Sequence, residues 1–434
     1  MDAPFTLPGR AVAGCLLLAL AGPSLPGQAS PPDTYVYVDA YDVDDLRAAA
    51  ESGEPFPLAL LDGEVLVEVE PSFLRSERFR ARRRSSFDER PVIPRRTPLF
   101  KGRIVGDPES VVRIGFGTTG FTAYVRRGDG VVTLIEPRDG LPARGKQSTP
   151  HLCLSPAAAA AGLTAVCGAT FDPLLGPTTT AAVTTRARQA ANLEFVVLEL
   201  AVEADHAYYL EHGADTVADI EQVLNIVEGI FESELGITLE LTAIDVVDVG
   251  PDPYTASESG LLLDQFQNHW NANNSGIPRD VAHLFTGRVM EQNVVGIAYL
   301  GQVCTLPWSY GLSRDLSSQS LMPLLVAHEL GHNFGAGHDD PGTTQFIMNS
   351  SLSGATQSEF SAKSETEIQL FLTQSNVTCL EVQTTGGGGD PGTGGTAPPS
   401  SPSGGGGPVD PFVVVAAAAL AAWARRRSRR RVPR

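Results

Sequence analysis

The chain has 434 residues, a length that allows two or three domains of the usual size. Hydrophobic residues make up 42% of it, so a folded core is expected and wholesale disorder is excluded. The net charge of −18 argues against a nucleic-acid binder, because phosphate recognition depends on clustered lysine and arginine side chains.

The first segment, residues 1–29, has the pattern of a secretion signal. Arg10 precedes an apolar stretch over residues 11–21, and Ala29 is a small residue of the kind that signal peptidase accepts. Cys15 lies in a sequence similar to a lipobox, but the apolar run follows this cysteine instead of preceding it. The pattern therefore favours a cleaved signal peptide over a lipoprotein anchor.

The second segment, residues 30–190, is predicted to be mainly β. Short runs of β-forming residues, such as residues 65–69, alternate with Gly, Asp and Pro. From residue 156 to residue 188 the composition turns to Ala, Thr and Pro, which indicates a connector. This connector ends in Arg186 and Arg188, where a protease could cut.

The third segment, residues 191–383, mixes helical and strand patterns. Apolar residues recur at three- and four-residue spacing from Val217 to Phe231, a helical pattern that Gly236 closes. Strand-like apolar runs occupy residues 193–202, 237–249 and 294–303. The alternation predicts an α/β or α+β domain with a mixed sheet.

One short motif in this segment carries the chemistry. His328 and His332 are four residues apart, so on a helix both imidazoles lie on one face and can bind the same metal ion. Gly335 can end that helix and turn the chain, so that His338 returns as a third ligand. Three imidazoles leave a tetrahedral zinc one open position, and Glu329 stands beside it as the candidate general base.

The motif H-E-x-x-H-x-x-G-x-x-H, with Met348 shortly after it, resembles that of the metzincin zinc proteases, in which a Met-turn lies beneath the zinc ligands. Residues 198–206, 281–287 and 296–301 are similar to the reprolysin (adamalysin) branch, to which ADAM and snake-venom metalloproteases belong. The similarity covers most of residues 191–381. It implies peptide-bond hydrolysis through a zinc-activated water, with the substrate lying along the strand from Gly296 to Val303.

The resemblance extends into the second segment, since residues 60–64 and 100–110 are similar to reprolysin propeptides. Residues 30–190 would then be a prodomain that inhibits its own enzyme. Cys167 resembles the family's cysteine switch, in which a propeptide thiolate fills the open zinc position. The alternative is a disulfide between Cys153 and Cys167, and only one of the two can hold.

Two further features are implied by the resemblance. Cys304 and Cys379 match positions that reprolysins join by a disulfide, which an exported protein can keep. Glu199 and Asp280 match positions that bind structural Ca²⁺ in some reprolysins. The asparagine expected after the last cysteine is missing, because Val382 stands there.

The charge of the chain is unevenly distributed. Residues 191–383 contain 27 acidic and four basic residues, a charge of 4 − 27 = −23, whereas residues 75–103 contain eleven basic and three acidic residues, a charge of 11 − 3 = +8. We hypothesise that the basic region docks on the acidic domain and assists inhibition. The alternative is a solvated basic loop.

The last two segments are a Gly-, Pro- and Ser-rich linker, residues 384–411, and a short hydrophobic helix with an arginine cluster, residues 412–434. Together they resemble the GlyGly-CTERM sorting tails of Gram-negative bacteria, which a rhomboid-type protease removes. The alternative is a plain transmembrane tail anchor. Both place the body outside the cytoplasm, either secreted or attached to the bacterial envelope.

The sequence therefore predicts a secreted or cell-surface zinc metalloendopeptidase that is made as a zymogen and acts on proteins or peptides. The alternative is a surface binding or adhesion protein on a catalytically weak metzincin scaffold. The intact Glu329 argues against this alternative.

Overall fold

The computed structural model describes residues 36–85, 88–92, 94–118, 120–137, 149–161, 163, 165–168, 195–316, 318–339, 346–352 and 358–383. All of these residues belong to one unit, Met1–Thr385. The predicted signal peptide, the arginines of the connector, the linker and the C-terminal tail all lie outside the described residues. Within the described ranges, no helix combines the length and the apolar character needed to cross a membrane.

The N-terminal region of this unit is mainly β. Its elements, in chain order, are β1 (Val36–Tyr41), α1 (Val43–Ser52), β2 (Phe56–Leu60), β3 (Gly63–Pro71), β4 (Arg75–Ser85), β5 (Asp88–Val92), β6 (Leu99–Ile104), β7 (Asp107–Phe116), β8 (Phe121–Arg126), β9 (Val132–Pro137), β10 (Thr149–Leu154), α2 (Pro156–Ala159) and β11 (Ala165–Cys167). Eight of the strands form an antiparallel sheet in the order β1-β10-β9-β8-β7-β6-β3-β2.

This antiparallel sheet has its own apolar core. Alternate residues such as Leu58 and Val67 point inward and are fully buried, as expected of strands with one face covered. Helix α1 contributes Leu46 and Ala50 to the same core. Asp42 caps the start of this helix with its side chain, which accepts hydrogen bonds from two backbone amides of the first turn.

The following region is α/β. Its elements are β12 (Phe195–Ala204), α3 (His206–His212), α4 (Thr216–Leu235), β13 (Ile237–Val247), α5 (Ser259–Asn273), β14 (Val281–Thr286), β15 (Val294–Ala298), β16 (Tyr310–Arg314), α6 (Met322–Asn333), β17 (Ser351–Leu352), α7 (Ala362–Leu372) and β18 (Glu381–Gln383), with short 3₁₀ turns at Gly213–Asp215 and Glu291–Asn293. Strands β12, β13, β14 and β16 are parallel, and β15 runs antiparallel beside β16.

Helix α4 lies where the sequence pattern predicts it and connects the two sheets. Gly236 ends it in the left-handed conformation, with φ of 69°, whereas Asp215 makes no capping hydrogen bond through its side chain. The helix contacts β7 of the antiparallel sheet and β13 of the second sheet. Its buried Asn225 donates to the backbone carbonyls of Phe100 and Ile114, which ties the N-terminal region to it.

The two regions are not separate bodies, because strands of the N-terminal region join the second sheet at both ends. The order of this sheet is β17-β11-β15-β16-β14-β12-β13-β4-β5, with β18 also paired to β12. Strand β4 therefore extends the sheet beyond β13, and β11 lies between β15 and β17. In each of these pairs, one strand precedes residue 190 and the other follows it.

A disulfide joins Cys304 to Cys379 across 75 residues of chain. We expect its replacement by two serines to lower the free energy of unfolding by about 4 kcal/mol, because the unfolded chain gains the freedom of a long open loop. Urea unfolding of the full chain measures this change. The control is Cys153→Ala, which removes a thiol that is in no disulfide. Equal stability losses in the two proteins would contradict the prediction.

Candidate functional site

The site is built on helix α6, which is buried along its whole length. Its four-residue spacing places the rings of His328 and His332 side by side, with their centroids 4.6 Å apart. The Nδ1 atom of His328 lies 2.5 Å from the carbonyl of Ile347, and that of His332 lies 2.8 Å from the carbonyl of Ala336. A carbonyl can only accept, so each Nδ1 carries the proton and each Nε2 keeps its lone pair.

The chain turns after the helix and brings the third imidazole back. Gly335 adopts φ of 86°, the left-handed conformation that glycine takes without strain, and its amide bonds to the carbonyl of His332. His338 then lies beside the helix, with its ring centroid 4.8 Å from that of His332 and 5.4 Å from that of His328. The sequence-predicted triad is therefore one cluster.

Glu329 faces the same cluster from within the core. Its side chain is fully buried, and this burial raises its pKa well above the usual value. The Oε2 atom accepts from the Cys167 thiol at 3.8 Å, and Oε1 has no hydrogen-bond partner among the residues that the structure describes. A buried carboxylate with one unsatisfied oxygen indicates a place for a further polar group.

Cys167 belongs to the same cluster. Its Sγ atom is 3.4 Å from Nε2 of His332, and one ligand atom each of Cys167, His328, His332 and His338 all lie within 4.8 Å of one another. Nitrogen and sulfur donors in fourfold sets are the ligands that zinc prefers. Cys153 is buried in the N-terminal core, and no disulfide joins it to Cys167, which differs from the alternative drawn from the sequence.

Backbone pairing holds Cys167 in this position. Strand β11 pairs in parallel with β15, where Cys167 stands opposite Gly296, and in antiparallel with β17. The amide of Cys167 bonds to the carbonyl of Ser350, and that of Gly168 bonds to the carbonyl of Gly296. Strands β15 and β17, one on each side of β11, thus fix the position of the thiol.

Met348 lies directly beneath the active-site helix. It is fully buried in a turn in which the Phe346 amide bonds to the side chain of Asn349. A Cβ atom on Gly331 would meet its sulfur at 2.5 Å, so the helix and the methionine are in close contact. The neighbouring Ile347 supplies the carbonyl that orients His328. The turn thus supports the imidazole cluster from below.

Three supporting residues were not predicted from the sequence. Asn333 donates to the carbonyls of Tyr299 and Tyr310 and so fastens the helix to the sheet. Asp339 accepts from the hydroxyls that begin α7, and Gly296 lets β15 approach the Glu329 carboxylate. An asparagine, an aspartate and a glycine in such positions carry no distinctive spacing.

Glu199 and Asp280, the pair matched to a calcium site, also lie together. The amide of Glu199 donates to Asp280 Oδ2 at 2.8 Å, and burial raises the pKa of Asp280 to about 7, with Glu199 and Glu381 acting in the same direction. The Glu199 carboxylate is paired with Arg78 from β4. The Arg78 guanidinium therefore neutralises part of the negative charge of Glu199 and Asp280.

Comparison with known proteins matches this region to a family. The model of metallopeptidase family M12, of the reprolysin type, matches residues 196–369. Snake venom metalloproteinase trimerelysin-2 of Protobothrops flavoviridis is 29% identical over 197 residues, which cover 42% of this chain and 94% of the venom protein. Snake venom metalloproteinase TM-1 of Protobothrops mucrosquamatus is 30% identical over 189 residues, covering 42% and 93% of the two chains.

The close approach of Gly296 to Glu329 can be tested. In Gly296→Ala the new methyl group overlaps the buried Glu329 carboxylate, so we expect the free energy of unfolding to fall by about 1–3 kcal/mol. Thermal and urea unfolding measure the change. The matched control is Gly276→Ala, where nothing lies within 4 Å of the added atom. A Gly296→Ala protein as stable as this control would show that the contact is not tight.

Proposed function

Because the chain belongs to metallopeptidase family M12, it is a zinc metalloendopeptidase, and we propose that His328, His332 and His338 hold its catalytic zinc. The observation that carries this proposal is the cluster of three imidazoles. In His328 and His332 the Nδ1 atom is bound to a backbone carbonyl, and Nε2 of His332 lies 3.2 Å from Nε2 of His338. When bound there, zinc supplies Lewis-acid activation of water and of the scissile carbonyl. Its substrates are proteins or peptides.

We assign the proton transfers to Glu329. Its carboxylate takes a proton from the attacking water as the new C–O bond forms, and it passes this proton to the amine nitrogen as the C–N bond breaks. The side chain is buried, and Gly296 of β15 lies against it, so the carboxylate cannot swing out of the site. Met348 and Asn333 keep the helix that carries it in place.

We propose that residues 30–190 are an inhibitory prodomain and that Cys167 is its switch. The thiol stands at the imidazole cluster and beside Glu329, where it would exclude water from the position that hydrolysis needs. Strand β11 also pairs with β15, the strand along which we expect substrates to lie. Blocking both the nucleophile and the substrate backbone would make the uncut chain latent.

Ion pairs between the two regions support this role. The basic stretch forms strand β4 and its neighbours instead of a solvated loop, and its arginines meet acidic residues of the other region. Arg75 Nε lies 2.5 Å from Glu221, and Arg113 Nη1 from the neighbouring sheet lies 2.6 Å from Glu228. Such pairs, buried and of opposite charge, would hold the prodomain in register on the enzyme.

We further propose that the protein is exported. The Cys304–Cys379 disulfide favours an oxidising compartment, and the two relatives are named as venom proteins. A zymogen with a removable N-terminal region suits a protease that crosses a membrane before it acts. A structural calcium ion at Glu199 and Asp280 would complete the assignment once Arg78 has left with the prodomain.

The role of Glu329 is tested by Glu329→Gln in the processed enzyme. Casein hydrolysis is expected to fall by at least about 100-fold, because the proton acceptor is lost, while about one zinc per chain remains bound. Zinc is measured by atomic absorption. The control Glu211→Gln changes an exposed glutamate and should leave both values unaltered. Full activity in Glu329→Gln would refute the assignment.

The switch is tested by Cys167→Ala in the uncut chain. Removal of the thiol is expected to raise the hydrolysis of a short fluorogenic peptide above the background of the wild-type zymogen, because water regains the zinc site, although β11 still occupies the edge of β15. Cys153→Ala, which alters a buried cysteine of the N-terminal core that is in no disulfide, should stay latent. Equal latency of the two variants would count against a switch at Cys167.

A further inference from the structure

The edge of strand β13 is a second place where a polypeptide strand is bound. Strand β4 pairs with it in parallel, and residues 80–84 stand opposite residues 243–247. Our further inference rests on the proposed removal of the prodomain. Once β4 leaves, the outward backbone amides and carbonyls of β13 lose their partners and form an open sheet edge.

Two carboxylates lie on one face beside this edge and are held there by the enzyme's own side chains. Tyr254 and Trp270 donate to Glu203 at 2.7 Å and 2.6 Å, and Asn274 donates to Asp245 at 3.3 Å. None of these donors belongs to the prodomain. The carboxylates therefore stay in position when the prodomain departs.

Arginine side chains fit these carboxylates closely. Arg84 Nη2 lies 2.7 Å from Glu203, and Arg82 meets Asp245 through both Nε, at 2.8 Å, and Nη2. A bidentate contact of this kind suits the planar guanidinium and not the ammonium of lysine. The two arginines are two residues apart, so both side chains project to the same face of the strand.

The two carboxylates need a cation. Glu203 is fully buried, and this burial raises its pKa to about 7, while Arg84 acts in the opposite direction. Asp245 is 1% exposed. Buried carboxylates are costly without a paired positive charge. The edge therefore binds a strand that carries guanidinium groups in preference to a neutral strand.

This edge is remote from the imidazole cluster. Strands β12, β14 and β16 separate β13 from β15, so four strand spacings, roughly 19 Å, lie between the two edges. A polypeptide bound on β13 leaves the cleft beside β15 open. One extended substrate can therefore occupy both edges through different segments.

We propose that the β13 edge of the processed enzyme is a second substrate-binding site. It takes an extended segment of a protein substrate as an added strand, with arginines two residues apart facing Glu203 and Asp245. The prodomain strand β4 is the intramolecular ligand that fills this site until processing.

The probe is a fluorescent peptide with the sequence of residues 75–85. Its affinity is measured by fluorescence anisotropy. The protein is the Glu329→Gln variant, produced as the full chain, cut between the two regions and then separated from the prodomain in high salt. The peptide is expected to bind in low salt, and Arg82→Ala with Arg84→Ala in the peptide should weaken binding by at least about tenfold. Arg80→Ala with Arg83→Ala removes the same charge outside the two ion pairs and should cost less than about threefold.

Equal losses for the two double variants would overturn the proposal, because they would show unspecific attraction between charges. The second measurement uses the active processed enzyme. The 75–85 peptide should leave hydrolysis of a short arginine-free substrate unchanged and inhibit cleavage of a protein that carries an Arg-x-Arg segment. Equal inhibition of both substrates would place the peptide in the zinc cleft and refute a second site.

The two experiments distinguish a failure of this proposal from a failure of the proposed function. An enzyme that cleaves neither substrate in the absence of peptide contradicts the protease assignment. The anisotropy comparison does not depend on hydrolysis, so it still decides whether β13 recognises paired arginines.

Discussion

The constraint on which the structure depends is the burial of helix α6. Every residue of this helix is buried, including two histidines and a glutamate whose side chains would otherwise be hydrated. Such a helix is stable only where each polar atom finds a partner in the protein or in a bound group. The carbonyls of Ile347 and Ala336 satisfy one nitrogen of each imidazole, and Asn333 uses its amide to bind the sheet. The Glu329 carboxylate and Nε2 of His332 both lie beside the Cys167 thiol, so the reactive groups of the helix share one small region.

The N-terminal region is bound through the edges of the second sheet. A mixed sheet with two open edges can accept a strand at each, and the chain provides both strands itself. At one edge, β11 brings a thiol to the imidazoles by pairing with β15. At the other, β4 brings arginines to buried carboxylates by pairing with β13. The contact between the N-terminal region and the second sheet is therefore distributed over both edges of the sheet and not confined to the imidazole cluster.

The sequence predicted the parts of the site that depend on local spacing. The helical separation of His328 and His332, the turn at Gly335 and helix α4 with its closing Gly236 are all properties of short segments. The fold class also follows from local periodicity, and the matched family agrees with an α/β catalytic region. What the sequence could not show was pairing across distance. Strand β4 reads as a polar, basic stretch, and its partner Asp245 lies more than 160 residues further along the chain. Opposite total charges indicated that the regions attract each other, but no pattern specified which arginine meets which carboxylate.

If residues 30–190 inhibit the enzyme as proposed, the covalent connection between Cys167 and Phe195 has a consequence for the time of activation. In the uncut chain the inhibitory region would be held at a high effective concentration, and dilution would have no effect on the contact. After one cut between these residues, the same contacts would become a bimolecular equilibrium. A cut molecule would then stay inhibited at high local protein concentration and would become active on dilution. Activity would thus require two successive events, the proteolytic cut and the diffusion of the enzyme away from the inhibitory region.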